Sequence, residues 1–433
     1  MADGQTIKDE GDDTQWNGVE DTVEDPEELK VIFQALDSFS QYAKTSHLNC
    51  THLRRRAFYA MPQAQWQMLA KPPFSYLETL DRTDAAIDSN ASLARAIVQY
   101  GLESLGVSNP STGGAEENQM MIPKEWIGVA KPRTNYCLSL LVFVDADQVA
   151  LDDTDKARST IRQFYRDWSA EGAAERNVCN DRVFRALDAE KVRQPDRTEP
   201  WKVLVPGAGL GRLVFDLCHK GYLSEGNEIS YHSLLASSYI LNHAKEAGQH
   251  TIHPWIHTFS NHRNREQQFQ SYKIPDIQPQ QTLAQAEGIG AMQMCAADFL
   301  CLYGDAEHEN AYDAVAAIFF LDTAPNLIRY LDVIRHCLKP GGILIHVGPL
   351  LWHWENNIAS NNGYDGEDDD SSGRGIAEPG SFEFTADEVV ALVKEMGFTI
   401  DKYEDNIRAP YVQDEQSMLQ TVYSAMHFVA RKV

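Results

Sequence analysis

The segment VLVPGAGLGRLVFDL places glycines at 207, 209 and 211, after a short apolar run and before an apolar-periodic one. A strand must end there, turn tightly and give way to a helix. Glycine lets the backbone take positive φ in such a turn and lets a ligand approach it closely. DLCHKGYLSEGNE then brings a second strand ending at Glu228, 19 residues after Gly209. MQMCAADFL, AYDAVAAIFFLD and GILIHVGPL are further strand candidates, the last two separated by the helix NLIRYLDVIRHCL. FTIDKYEDN and TVYSAMHFVARKV read as a closing strand pair. Strands alternating with helices imply a doubly wound α/β sheet.

Upstream of about residue 175 the chain reads as an N-terminal helical region, 25–175. It opens on an Asp25 cap with Pro26 at the first helical position and Glu28 three residues after the cap, a strong helix start. KARSTIRQFYRDWSAEG, 156–172, is predicted as a helix ending at Gly172, and FTADEVVALVKEMGF as one capped by Thr385 and Glu388 and stopped at Gly397. Residues 1–24 are charged and poor in apolar groups, which predicts a disordered acidic tail. The sheet domain covers 176–433, with long insertions expected near 252–290 and 358–381.

Composition narrows the partners. The formal charge is −25, with 11 Asp/Glu against Lys8 alone in residues 1–29 and five more acids in DGEDDD, 365–370. The one basic run, Arg54–Arg55–Arg56, falls short of the concentrated basic face a nucleic-acid partner requires. Seven scattered cysteines without a C-x-x-C pair argue against a disulfide framework and against a zinc site, so no metal is expected. No apolar run approaches the ~20 residues of a membrane span, and the acidic, polar N-terminus is no signal peptide. A reducing compartment is expected, the cytoplasm with the nucleus also open to it. The oligomeric state stays open between monomer and homodimer.

Two cofactors fit a glycine loop with an acid at the end of the next strand, where it can hold both ribose hydroxyls: a nicotinamide dinucleotide or S-adenosylmethionine (SAM). The spacing here is G-x-G-x-G, not the G-x-G-x-x-G of the dinucleotide fingerprint. Asp298 and Phe299 end the third strand, where an acid accepts from an adenine amino group and an aromatic ring stacks on it. LKPGG before the fifth strand, and the closing strand pair, resemble the SAM-dependent methyltransferase domain. The expected fold is therefore α/β, a SAM-dependent methyltransferase (Rossmann-like) doubly wound sheet with an N-terminal helical region.

Six strings carry a more specific likeness: RSTIRQFYRDWS, VPGAGLGRL, GNEIS, IHPWIHTFSN, FFLDTAPN and LKPGGILIHVGPLLWH. Together they resemble the carnosine N-methyltransferase family, from about residue 30 to the C-terminus. The resemblance implies methyl transfer from SAM to the imidazole of a histidine-containing dipeptide, converting carnosine to anserine. It implies cofactor contacts by Gln163, Arg166, Gly207, Gly209, Glu228, Asp298, Phe299 and the strand end near Ile318. It also implies a substrate pocket of Asp322, His353, Tyr411 and Tyr423. The chain departs from the family at Pro325, where a histidine is expected, and in its acidic insert.

Read as residues, Gln163 and Arg166 are spaced i, i+3 and share a helix face. An arginine there suits the SAM carboxylate. Asp322 and His353 are read as the ends of successive strands, at the carboxyl edge where open α/β sheets bind ligands. A carboxylate beside an imidazole stabilises the charge that methylation develops, and a second imidazole accepts the departing proton. Asp322 and His353 fit these catalytic roles, which are exchangeable at this level. Two alternatives remain open: a protein-histidine methyltransferase, and a non-catalytic SAM-binding scaffold.

Overall fold

The computed structural model describes residues 26–106, 153–355 and 382–433. The tail 1–24, part of the helical region and the insertion expected at 358–381 lie outside the described residues. Nine strands are described: β1 Lys202–Pro206, β2 Leu223–Glu228, β3 His250–Ile252, β4 Tyr272–Ile274, β5 Ala291–Ala296, β6 Tyr312–Ile318, β7 Leu338–Gly348, β8 Phe398–Pro410 and β9 Val422–Lys432. Seven form one sheet in the order β5-β2-β1-β6-β7-β9-β8. The first five in that order are parallel, and β9 and β8 run antiparallel at one edge.

Alternate residues of the central strands feed two separate cores, as the period of two requires. Val203, Val205, Ala314, Ala316, Ile343 and Ile345 pack on Val183 and Leu187 of the Ala173–Arg193 helix. Leu204, Val315 and Leu344 point the other way, onto Leu331 and Ile334 of the Leu327–Cys337 helix. Each fully buried Val, Leu or Ile contributes about 1.5–3 kcal/mol over exposure, so burial on both faces fixes the register. Strand order reverses between β1 and β6. The loops after those two strands therefore share one crevice, the place where open α/β sheets bind ligands.

The expected helix 156–172 ends earlier, at Trp168. Ser169 Oγ accepts from Gly172 N at 2.9 Å and closes a tight corner. Gly172 has an ordinary helical φ of −65°; it is needed because a Cβ there would collide with the Tyr165 carbonyl. The chain then re-enters a helix, Ala173–Arg193, which runs through the domain boundary expected at 175/176. The insertion at 252–290 also has structure of its own, built from the β3–β4 pair and the helices Arg265–Gln268 and Pro279–Gln285. Its Ile252, Trp255, Ile256 and Ile274 share one core with Ile32, Ile87 and Ile161 of the N-terminal helices. Buried Asn90 ties the two, donating to the His253 carbonyl at 3.1 Å and accepting from His253 N at 2.7 Å.

Within the helical layer His47 bridges two carboxylates, Nδ1 to Asp84 at 2.7 Å and Nε2 to Asp88 at 2.9 Å. Partial burial alone would lower its pKa, but the two carboxylates outweigh it and the imidazole titrates above its ordinary value. Both ring nitrogens donate only when the ring is protonated. A raised folded-state pKa gives stability that is complete below about pH 6.5, the unfolded value, and lost as pH rises through the folded value. The melting-temperature gap between wild type and His47→Gln should therefore be wider at about pH 5.5 than at pH 8.5. A gap that does not change with pH would show that the imidazolium is not what the two acids hold.

Candidate active site

The loop after β1 holds Gly207, Gly209 and Gly211 at φ of 67°, 55° and 73°, a region that L side chains rarely adopt. Gly207 is also sterically needed, since a Cβ would sit 3.1 Å from the Phe320 ring, whereas one on Gly209 would meet nothing within 4 Å. The loop thus presents bare backbone to open space. Glu228, at the end of β2, accepts from Gly209 N at 2.8 Å and from Ile229 N and Ser230 N at 2.9 Å each. Burial pushes its carboxyl up, and the three N–H donors pull it back. A carboxylate has about four acceptor positions, so Glu228 can brace the loop and still take a hydroxyl.

The Asp153–Trp168 helix is bolted to the same loop. Trp168, fully buried, donates its indole N–H to the Leu210 carbonyl at 2.9 Å, and Arg212 Nη1 donates to the Asp167 carbonyl at 3.1 Å. This sets Arg166 beside Tyr411, and Gln163 is half-buried one turn earlier on the same helix. Arg166 is held by both oxygens of Asp167, at 2.7 and 3.1 Å, with its guanidinium 5.2 Å from the Tyr411 ring centre. Its partner in this structure is thus its own neighbour, whereas the spacing suggested a free cation for the SAM carboxylate. Asp298 caps the Phe299–Leu302 helix, accepting from Leu300 N at 2.8 Å. Phe299 is buried against Phe320 and Tyr330 at 5.2 and 5.5 Å, instead of standing exposed as a stacking platform. It supports Phe320, which in turn abuts Gly207.

On the facing strand, β6 ends at Ile318 and not at Asp322. Phe319 takes a φ of 50° and breaks the strand, so Asp322 lies in a short 3-10 turn, Leu321–Thr323. β7 likewise ends at Gly348, which puts His353 five residues beyond it in a turn. That turn is stitched to Asp322: Leu351 N donates to its Oδ2 at 2.9 Å and His353 N to its carbonyl at 3.0 Å. The indoles either side of His353 anchor the turn, Trp352 on the Phe384 carbonyl at 2.9 Å and Trp354 on the Thr323 carbonyl at 3.1 Å. His353 itself is exposed. Asp322 is 2% exposed, and its Oδ1 has no partner among the described residues. Burial raises its pKa, against the Leu351 N–H and the nearby His353.

Tyr411 and Tyr423 meet around Phe319, their ring centres 5.2 and 5.7 Å from its own and 5.8 Å from each other. The result is an aromatic corner after β6, with Asp322 three residues along the same turn. Three contributors escaped the sequence reading: Phe319, Glu175 and Arg162. Glu175 accepts from Val412 N and Gln413 N, and Arg162 Nη2 donates to the Val412 carbonyl at 2.7 Å. Together they hold Tyr411 in place across more than 200 residues of chain. No local pattern could signal such partners.

Glu228→Ala should weaken binding of SAM or its demethylated product by about tenfold or more. It removes a charge-assisted acceptor and leaves Gly209 N–H unpaired. Calorimetry that finds unchanged affinity would remove Glu228 from the cofactor contacts.

The comparisons agree with the geometry. A family model described as Carnosine N-methyltransferase matches residues 143–433. A Carnosine N-methyltransferase of Schizosaccharomyces pombe is 31% identical over 407 residues, covering 94% of this chain and 97% of that protein. One from Mus musculus is 30% identical over 415 residues, 95% of this chain and 88% of the other. Carnosine N-methyltransferase unmet of Drosophila melanogaster is 31% identical over 421 residues, 95% of this chain and 81% of the other. With two thirds of its length in the family model and near-complete alignment to these relatives, the chain belongs to the carnosine N-methyltransferase family.

Proposed function

We propose that this protein transfers a methyl group from SAM to an imidazole nitrogen of carnosine, giving anserine. One observation carries the reading: a buried carboxylate oxygen without a partner among the described residues, Asp322 Oδ1, beside an aromatic corner at the crevice between β1 and β6. Open backbone at Gly209 and the carboxylate of Glu228 suit an adenosine-containing group at the neighbouring strand end. When bound there, SAM supplies an electrophilic methyl on a sulfonium.

The residues divide the remaining work. Neutral imidazole has one nitrogen with a lone pair and one bearing a proton. Asp322 Oδ1 would accept that N–H, which fixes the tautomer and turns the lone pair toward the crevice that would hold the methyl donor. Methyl transfer makes the ring cationic, and the carboxylate stabilises the charge where it develops. Phe319, Tyr411 and Tyr423 hold the ring plane and exclude water. His353, at the rim, takes the ring proton outward, since imidazole is the side chain suited to proton exchange near neutrality.

A panel of carnosine, free histidine and longer histidine-containing peptides, each with purified protein and SAM, tests the substrate. The expected result is highest kcat/KM on carnosine. Preference for a histidine within a long peptide would transfer the reading to a protein-histidine methyltransferase, and binding of SAM without turnover of any substrate would favour a scaffold.

A further inference from the structure

One residue beyond Tyr411 the structure holds a second buried polar atom without a partner among the described residues. Arg162 gives Nη2 to the Val412 carbonyl at 2.7 Å, but its Nε is buried and unpaired. Its guanidinium lies 5.3 Å from the ring centre of Trp255, which is 4% exposed and whose indole N–H interacts with the Tyr272 hydroxyl. The neighbouring Tyr272 hydroxyl is engaged with Gln270 Oε1 at 3.0 Å. Among the described residues no carboxylate forms an ion pair with Arg162; Glu175, the acid that most offsets its charge, is committed to Val412 N and Gln413 N. Burial pulls the Arg162 pKa down, as an under-compensated cation requires.

A desolvated guanidinium with an idle N–H is costly unless an anion completes it. Among the described residues Arg162 Nε is such a donor, and its guanidinium already sits on the loop that carries Tyr411. We propose that Arg162 receives the carboxylate of the peptide substrate while the substrate's imidazole lies between Tyr411, Tyr423 and Asp322. The inference rests on the dipeptide reading above. It makes Arg162 a determinant of specificity, separating carboxylate-bearing imidazoles from simple imidazole amines.

β-Alanylhistamine tests it, because it keeps the imidazole and the amine of carnosine and lacks only the carboxylate. Wild type should prefer carnosine over β-alanylhistamine by about 10–100-fold in kcat/KM, the range for losing a charge-assisted pair. Arg162→Gln should lower kcat/KM on carnosine, chiefly through KM, by about 10–100-fold more than on β-alanylhistamine, so that the ratio of the two falls toward unity whatever loss they share through the Val412 contact. Arg162→Lys should recover part of the preference, and calorimetric SAM affinity should stay near wild type in both variants. Equal use of the two compounds by wild type overturns the subsite without needing any variant. So does an Arg162→Gln protein that loses both activities equally. Wild type that methylates neither compound overturns the dipeptide reading, and the subsite with it.

Discussion

Asp322→Asn lowers turnover of carnosine by about 10²–10⁴-fold, the span usual for a lost acid–base or charge-stabilising group. The substitution keeps the shape and one amide oxygen, so Leu351 N retains an acceptor and the turn stays closed. What disappears is the negative charge at Oδ1, the atom that has no partner among the described residues. An amide N–H pointing at the imidazole proton also repels it. SAM affinity should stay within about twofold, because the groups at Gly209 and Glu228 are untouched. Steady-state kinetics paired with calorimetry separates the two effects. A near-normal kcat would place the charge stabilisation elsewhere.

His353→Ala is expected to reduce turnover by a comparable factor of about 10²–10⁴ if His353 carries the proton away. The fold should be indifferent, because the side chain is exposed and the turn is held by its backbone N–H and by Trp352 and Trp354. The double variant with Asp322→Asn should be less impaired than the product of the single effects, since both groups act on one ring. Strictly multiplicative losses would mean that His353 works on a different step. Retained activity in a folded His353→Ala protein would make this histidine a surface residue of the rim.

The sheet was legible because its strands are buried on both faces and separated by amphipathic helices, a pattern written in local apolar spacing. The glycine loop, Glu228 and the Thr385 cap were legible for the same reason. Thr385 N donates to Glu388 at 2.8 Å, a contact between residues three apart. Strand ends were not legible. AIFFLD reads as one run, but Phe319 at φ 50° ends the strand early; β7 stops at Gly348, and Trp352, four residues on, turns at φ 46° before His353. Neither a Phe nor a Trp advertises positive φ.

The stretch HVGPLLWH shows the limit most clearly. His346 is the core histidine, with no exposure and a pKa pulled by burial down to about 3. His353, seven residues on, is exposed. Composition and spacing treat the two alike, and only tertiary packing separates them. Partners distant in sequence, such as Arg162 on Val412, were out of reach for the same reason.

In the proposed reaction an imidazole nitrogen, oriented by Asp322, receives the methyl group. Carnosine incubated with the protein and SAM carrying a ¹³C-methyl group, read by NMR, tests this directly. The account predicts one new N-methyl resonance, coupled to the imidazole ring of a single regioisomer, and its near-absence with Asp322→Asn. Label on the amine or the carboxylate, or a mixture of both ring isomers from the wild-type protein, would contradict it.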